Sequence, residues 1–430
     1  MTAFDRAIEL TIDAPAAGGR MIARHDGQIV FVAGAIPGER VRARVERRQR
    51  QMLWASTIDV IEPSADRRDP SGDPACGGLA FAHIQPARQR SLKAEIVADA
   101  FRRIARQPLD RLPEVAISPE RGYRLRARLH VREARAGFFL EGSHTLCDPA
   151  ATGQLLPESL QATERVLGAL GPRARDVSAV VIAENVAATS RVLHVEPHEG
   201  RRLDTDVAIE MPGDVTGVTT WAPNRAIATI AGDPRVHETA AAVFGEATPI
   251  APVTAWTRHA PAFFQGNRFL LGTLLRRVLH EAPGDRVADF YAGVGLFSVA
   301  LAARGSQVVA VEGDSTSAAD LRANVGAWAG RIDAREMAVE AASPAALGLS
   351  AGAFDVVVVD PPRTGMTPEA LSRVVECAPR RVVYVSCDPP TLARDAAKLA
   401  ASGFQLAGLE AFDLFPNTAH VETLAVFDRR

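Results

Sequence analysis

Lysine is scarce in this chain, and arginine carries almost all of its positive charge. Cysteine is scarce as well: four thiols in 430 residues make no disulfide framework, so a reducing cytoplasm is the expected compartment. No window reaches the roughly 18 uninterrupted apolar residues of a membrane helix. The start, Met1-Thr2-Ala3-Phe4-Asp5-Arg6, lacks the basic residues and apolar run of a signal peptide. Neither membrane insertion nor export is therefore expected. Internal repeats and low-complexity tracts are also missing. What remains is a chain with 47% apolar and 23% charged residues, the balance of a soluble globular protein. Its length exceeds one ordinary core, so two or three domains are expected.

The net charge of −2 argues neither for nor against nucleic acid, but the charge is unevenly placed. Arg40, Arg42, Arg44, Arg47, Arg48 and Arg50 fall within eleven residues that hold one acid, Glu46. A second cluster comprises Arg121, Arg124, Arg126, Arg128, Arg132 and Arg135, opposed there only by Glu133. Either cluster alone fits a solvated strand face. Together, upstream of a catalytic half, they favour an RNA or DNA track, with Arg44, Arg47, Arg48, Arg124 and Arg126 as contacts.

Residues 7–62 read as short strands and turns: Ile8-Glu9-Leu10-Thr11-Ile12 alternates at period two, and Gly18-Gly19 and Asp26-Gly27 supply turns. About sixty such residues suggest a small β-barrel, a common oligonucleotide platform. The arrangement resembles the TRAM domain, an RNA-binding barrel, over residues 1–65. Pro63–Pro74, rich in Asp, Arg and Pro, reads as a linker. A helix is expected from about Gln85 to Arg106, packing on the catalytic domain, and mostly strands from Tyr123 to about Thr254. Residues 66–254 thus form a central, substrate-binding domain. From Ala255 to Arg430 apolar strands alternate with helical stretches: Arg286–Phe290, Val308–Glu312, Phe354–Asp360, Val382–Ser386 and Glu422–Asp428. That alternation predicts a doubly wound α/β sheet.

Three segments of this last part carry chemistry. Val287–Phe297 is a strand that breaks at Gly293-Val294-Gly295 and enters a helix. Dinucleotide folds use a related turn, but Ser298 stands where their third glycine would be. Glu312 ends the next strand, where a carboxylate accepts from ribose hydroxyls. Asp289, the turn and Glu312 together resemble the S-adenosylmethionine site of class I methyltransferases. Second, Asp360-Pro361-Pro362-Arg363 closes a run of four valines, which belongs in a sheet centre with its end at the ligand crevice. Amino-group methyltransferases carry an aromatic there; Asp with Arg argues against that chemistry. Third, Cys387 follows Val382–Ser386 and precedes a proline-led helix, which presents its sulfur at a sheet end.

A thiol beside a methyl donor suits uracil C5, a poor nucleophile until a thiolate adds to C6. A base must then remove the C5 proton so that the thiolate can leave. Cys387 supplies the thiol, with the following helix N-terminus and Arg394 expected to stabilise the thiolate. Glu422, before the final strand, is the candidate base, and His420 a candidate for orienting a group or binding phosphate. With Phe263-Phe264-Gln265-Gly266-Asn267, these segments resemble the RNA uracil-C5 methyltransferase family. The resemblance covers residues 255–430 and extends upstream through Cys76-Gly77-Gly78, Gly122-Tyr123-Arg124 and the barrel. It implies Cys387 as nucleophile and Glu422 as base. It makes Gln265, Tyr291, Gly293, Gly295, Glu312 and Asp360 the S-adenosylmethionine contacts, and Arg363, Arg394 and His420 the RNA contacts near the site. Leu296 departs from the family's usual Asn or Thr. The implied substrate is 23S rRNA, with tRNA or a non-catalytic RNA-binding role as alternatives, and a monomer is expected.

Many relatives hold an iron–sulfur cluster on four cysteines. The matching positions here read Pro70, Cys76 and Leu79, with Cys147 for the fourth. Two thiols cannot supply four thiolates, so no cluster and no metal is expected, and Cys76 and Cys147 are read as packed thiols.

Overall fold

The computed structural model describes residues 7–70, 72–203 and 209–430. Strands β1 (Ala7–Pro15), β2 (Met21–His25), β3 (Gln28–Ala33), β4 (Arg40–Gln49) and β5 (Met52–Glu62) close into a barrel, in the order β1-β2-β3-β5-β4. Period-two alternation decides which side faces in: Ile8, Leu10 and Ile12 are buried, whereas Glu9 and Thr11 are exposed. Asp26 and Gly27 both take positive φ, the geometry of a two-residue hairpin turn, and join β2 to β3.

The segment read as a linker is tied down on both sides. The Arg67 guanidinium donates to both oxygens of buried Glu39 at 2.6 Å, and Arg68 reaches Glu120 and, at 2.8 Å, Asn417 Oδ1. Helix α1 (Pro86–Ala100) then stitches the barrel to the catalytic part. Its Leu92 joins the barrel core, whereas Val97, Ala100 and Phe101 join the catalytic core. The helix expected as far as Arg106 widens into a π-helical turn over Phe101–Ala105 and stops at Arg106, which has φ +55°.

After β6 (Val115–Ala116) comes the central domain. Its strands are β7 (Arg126–Arg132), β8 (Arg135–Phe139), β9 (Leu146–Cys147), β10 (Val177–Glu184), β11 (Arg191–Pro197), β12 (Gly217–Trp221) and β13 (Ile227–Gly232). They form one sheet ordered β13-β12-β11-β10-β7-β8-β9. Short α2 (Pro149–Thr152) leads into α3 (Pro157–Leu170), a helix the strand-like reading of this stretch did not include. Its apolar face, Ala162, Val166, Leu167 and Leu170, packs on Leu129, Val180 and Ile182. A ribbon of β14 (Arg235–Thr239) and β15 (Ala255–His259), with α4 (Ala240–Phe244) between them, leads on.

The catalytic part contains α5 (Leu271–Glu281), β16 (Arg286–Phe290), α6 (Leu296–Ala303), β17 (Gln307–Glu312), α7 (Ser315–Val325), β18 (Ile332–Glu336), β19 (Val356–Val359), α8 (Pro368–Glu376), β20 (Arg381–Ser386), α9 (Pro389–Ala401), β21 (Phe404–Phe412) and β22 (Glu422–Arg429). Its sheet runs β18-β17-β16-β19-β20-β22-β21-β6. Residues of α5, α6 and α7 share one core with Val287, Val356, Val358 and Val383. Those of α1, α8 and α9 share the other with Phe290, Val357, Val359 and Tyr384. The chain leaves β16 toward β18 and returns through β19 toward β20. The strand order therefore reverses between β16 and β19, where such sheets bind ligands.

Candidate active site

The first wall of the crevice is the turn after β16. Tyr291 takes φ +62°, a strained value for a residue with a side chain, and bends the strand toward Gly293 and Gly295. Gly295, at φ +88°, caps α6, and a Cβ there would lie 2.7 Å from Leu321. The turn is held from the next strand: Glu312 Oε2 accepts from the Gly293 amide at 2.7 Å, and Oε1 from Asp314 at 2.6 Å. Ser298, in place of a third glycine, donates its hydroxyl to Asp289 Oδ2. The other Asp289 oxygen is buried without a partner among the described residues, and burial pushes this carboxyl up to about 7.

Asp360, at the end of β19, forms the second wall. It accepts from Gln265 Nε2 at 2.9 Å, yet burial raises it to about 7, with neighbouring Asp289 adding to the rise. Phe263, Gln265, Tyr291, Gly293, Leu296 and Asp360 line one narrow pocket, and Phe263 is 59% exposed at its rim. The residues fit a nucleoside amino acid: an orphaned acceptor at Asp289, a carboxylate at Glu312, and apolar walls. Leu296 lines the pocket with carbon, so that position offers no polar contact.

Cys387 and Glu422 meet because β22 runs antiparallel beside β20. Ser386 pairs with Thr423, so the residue after β20 and the first residue of β22 share one sheet end. Cys387 is half-buried, and Glu422 is 4% exposed. Burial, then Glu422 and Asp360, push the thiol up to about 12; Arg363 acts in the opposite direction. Glu422 is also raised well above an ordinary carboxyl by burial, with Asp360 adding and Arg363 opposing. In the free protein the thiol is thus protonated at neutral pH, and the Glu422 carboxyl holds its proton more tightly than a solvated one.

Arg394, expected to stabilise the thiolate, is engaged elsewhere. That guanidinium pairs with Asp395 and donates to the carbonyls of Thr364 (3.0 Å) and Met366 (3.1 Å). Asp395 in turn accepts from the Tyr384 hydroxyl and the Met366 amide, both at 2.9 Å. The pair fixes the loop after Asp360, where Gly365 takes φ +71°, a conformation that favours glycine. The N-terminus of α9 is capped by Asp388, whose charge raises the thiol further. The cation that acts on both Cys387 and Glu422 is Arg363, exposed and without an acidic partner among the described residues. His420 has an exposed side, and desolvation of its ring, with Arg363, Lys93 and Arg124 facing it, lowers it to about 4.

The other candidate RNA contacts separate. Arg44, Arg47 and Arg48 are exposed on β4. Arg124 and Arg126 are not free. Arg124 donates to the Arg126 carbonyl (2.9 Å) and Gln154 (2.6 Å), and Arg126 to the carbonyls of Ala260 (3.0 Å) and Pro261 (2.9 Å). Arg126 braces the loop that leads to Phe263 and Gln265. Cys76 and Cys147, expected as thiols, are joined in a disulfide with their Cα atoms 5.9 Å apart. The donor set does not fit an iron–sulfur cluster, since buried Leu79 offers no ligand and no group of three metal-ligating side chains occurs among the described residues. Phe263 belongs to the motif Phe263–Asn267, and two adjacent aromatics before Gln265 are the sequence signal for its exposed ring.

A doubly wound sheet with this glycine turn, an acid after the second strand and the Asp360 crevice defines a class I, S-adenosylmethionine-dependent methyltransferase fold. The tRNA (Uracil-5-)-methyltransferase family matches residues 256–430, and the TRAM domain matches residues 6–58. The chain is 32% identical to a 23S rRNA (uracil(1939)-C(5))-methyltransferase RlmD of Thiobacillus denitrificans, over 96% of this chain and 97% of that protein. It is 34% identical to a protein of the same name from Bordetella avium, over 95% and 88% of the two chains. A tRNA (uracil-54, C5)-methyltransferase of Pyrococcus abyssi, solved with S-adenosyl-L-homocysteine, superposes with a TM-score of 0.74 at 22% identity over 97% of this chain and 99% of that one. This chain belongs to the RNA uracil-C5 methyltransferase family.

Proposed function

We propose that this protein methylates C5 of a uridine in 23S rRNA, in the cytoplasm, through a covalent bond between Cys387 and C6 of the base. The observation that carries the reading is the β20/β22 register, which puts a thiol and a carboxyl at one sheet end beside the Asp360 crevice. The choice of 23S rRNA rests on the relatives that share nearly the whole chain. S-adenosylmethionine, when bound, supplies an electrophilic methyl group. Asp289, Gln265, Tyr291, Gly293, Gly295, Glu312 and Asp360 are the residues that would hold it.

The chain's own groups then divide the work. Cys387 gives up its proton to solvent, and its sulfur bonds to C6 as the C5–C6 π pair moves into the ring, which leaves negative charge there and makes C5 nucleophilic. Arg363 favours that ionisation by its charge. After C5 has been methylated, Glu422 as carboxylate takes the C5 proton, the C5–C6 double bond re-forms, and the sulfur leaves as thiolate. A carboxyl raised by burial is a stronger base than a solvated one, which suits the proton transfer. Exposed Phe263 offers a face on which the flipped base stacks.

The test is methyl transfer to 23S rRNA from a strain lacking the gene. Cys387→Ala is expected to lower transfer at least a thousandfold while cofactor binding persists. Glu422→Gln is expected to accumulate a protein–RNA adduct that migrates slowly on a denaturing gel. Full activity of Cys387→Ala would end the covalent mechanism. Mass-spectrometric mapping that finds the new 5-methyluridine in tRNA instead would reassign the substrate.

A further inference from the structure

The outer face of the barrel carries a feature that the catalytic reading does not use. The register pairs Phe31 on β3 with Trp54 on β5, and Trp54 with Arg47 on β4. Three side chains therefore stand in one row across three strands. The rings of Phe31 and Trp54 lie 5.6 Å apart at an interplanar angle of 31°, and the Arg47 guanidinium lies 4.1 Å from the indole centre. None of the three is buried, although strand neighbours Val30, Val32, Leu53 and Ala55 fill the barrel core. Half-buried Met52 flanks the row on β5, and Ile58, further along, is 50% exposed. An aromatic pair on the outside of a barrel contributes nothing to its core.

The arginines around this row differ in their partners. Arg40 pairs with Glu62 at 3.1 Å, and Arg42 with Glu9 and Asp59 at 3.6 Å. Arg44, Arg47, Arg48 and Arg50 have no acid within ion-pair distance among the described residues, and Glu46, the one acid between them, pairs with Arg20. Uncompensated positive charge therefore gathers on the half of β4 that flanks Trp54. Phosphate contacts alone would explain arginines, but not two half-buried aromatic rings set among them on the outer face.

We propose that Trp54 and Phe31 form a stacking platform for unpaired nucleobases, with Arg44 and Arg48 on the flanking phosphates. The partner is a single-stranded RNA segment, not a duplex, whose bases are already stacked on one another and whose backbone is all that a flat surface meets. Arg47, a solvent-exposed cation, occupies the indole face in the free protein and moves to a phosphate when a base takes its place. The platform rests on the reading of the chain as an RNA-modifying enzyme, and lies on a different domain from the reacting cysteine.

The test is a binding titration of the full-length protein, without cofactor, with three probes of equal length: an oligoadenylate dodecamer, its abasic ribose-phosphate counterpart, and a duplex. Wild type is expected to bind the oligoadenylate about tenfold tighter than the abasic strand, the size of one base–aromatic stack. Trp54→Ala is expected to erase that preference, Trp54→Phe to keep most of it, and Arg44→Gln with Arg48→Gln to weaken both single strands alike. Thermal melting checks that each variant is folded. In methylation assays Trp54→Ala should raise KM for 23S rRNA about tenfold. Equal binding of the adenylate and abasic strands by wild type, an unchanged preference in Trp54→Ala, or tighter binding of the duplex would each overturn the platform. If wild type transfers no methyl group, the catalytic reading fails, and the titration still decides the platform.

Discussion

The catalytic crevice and the arginine-rich N-terminal half handle charge in opposite ways. In the crevice Asp289, Asp360 and Glu422 are gathered with few donors, and burial pushes all three carboxyls upward. Upstream, buried charge is matched: Arg67 sits on Glu39, and Arg191 shares Glu184 with Arg268 of the catalytic part. Matched charge builds the scaffold, because an ion pair out of water is tolerable only when its partners are fixed. Unmatched charge marks a place where a ligand's own charge completes the site. The same distinction separates Arg363 from Arg394, and Arg44 from Arg40.

Among arginine substitutions, the largest effect breaks or keeps the first of those contrasts. Arg363→Gln removes the cation that lowers both Cys387 and Glu422, so both pKa values rise further. The acid limb of the kcat/KM–pH profile should move up by about one unit, with a loss of roughly a hundredfold at neutral pH. Arg394→Gln should slow the reaction by loosening the loop of residues 363–366 while leaving that limb where it was. Equal displacement of the limb by both substitutions would erase the distinction between a charge-supplying and a positioning arginine.

A smaller effect concerns stability. Asp289 and Asp360 have folded pKa values of about 7, well above those of an unfolded chain, about 4. Below about pH 4 both states hold these protons. Between there and about 7 the unfolded chain releases protons that the folded chain keeps, so stability is lost as pH rises through this window. The melting temperature of the free protein should therefore fall between pH 5 and pH 8 by a few degrees. Asp360→Asn should flatten that slope, and an unchanged slope would mean that these carboxyls are ionised in the folded protein.

The crevice was legible in the sequence because its residues sit at the ends of continuous apolar strands. Val356–Val359 and Val382–Val385 permit one assignment, and the residues that follow them must lie at the sheet's carboxyl edge. Strands β18 and β21 were not legible. Ile332-Asp333-Ala334-Arg335-Glu336 is a polar edge strand, and β21 shifts register at a bulge between Leu406 and Gly408, so neither shows a clean period. The fate of each arginine was hidden for another reason. Arg126 is fixed by carbonyls 134 and 135 residues away, and Cys147 by a cysteine 71 residues away. Residue type announces a capacity to bind charge; only the fold decides whether a neighbour has already met it.

The smallest effect tests that last statement on one strand. Arg40, Arg42, Arg44 and Arg48 alternate along β4 with the same side-chain chemistry, yet among the described residues only the first two have acidic partners. An arginine already paired with a carboxylate must break that pair to reach a phosphate, so it adds little to binding. Arg44→Gln with Arg48→Gln should reduce the slope of log K against log salt, for single-stranded RNA, by about 1.4, two phosphates' worth. Arg40→Gln with Arg42→Gln should change it by less than half of that, and should instead free Glu9, Asp59 and Glu62 to repel the strand. Equal slopes for the two double variants would show that exposed ion pairs on the barrel are too weak to withhold an arginine from RNA, and that position on the strand, not partnership, selects the contacts.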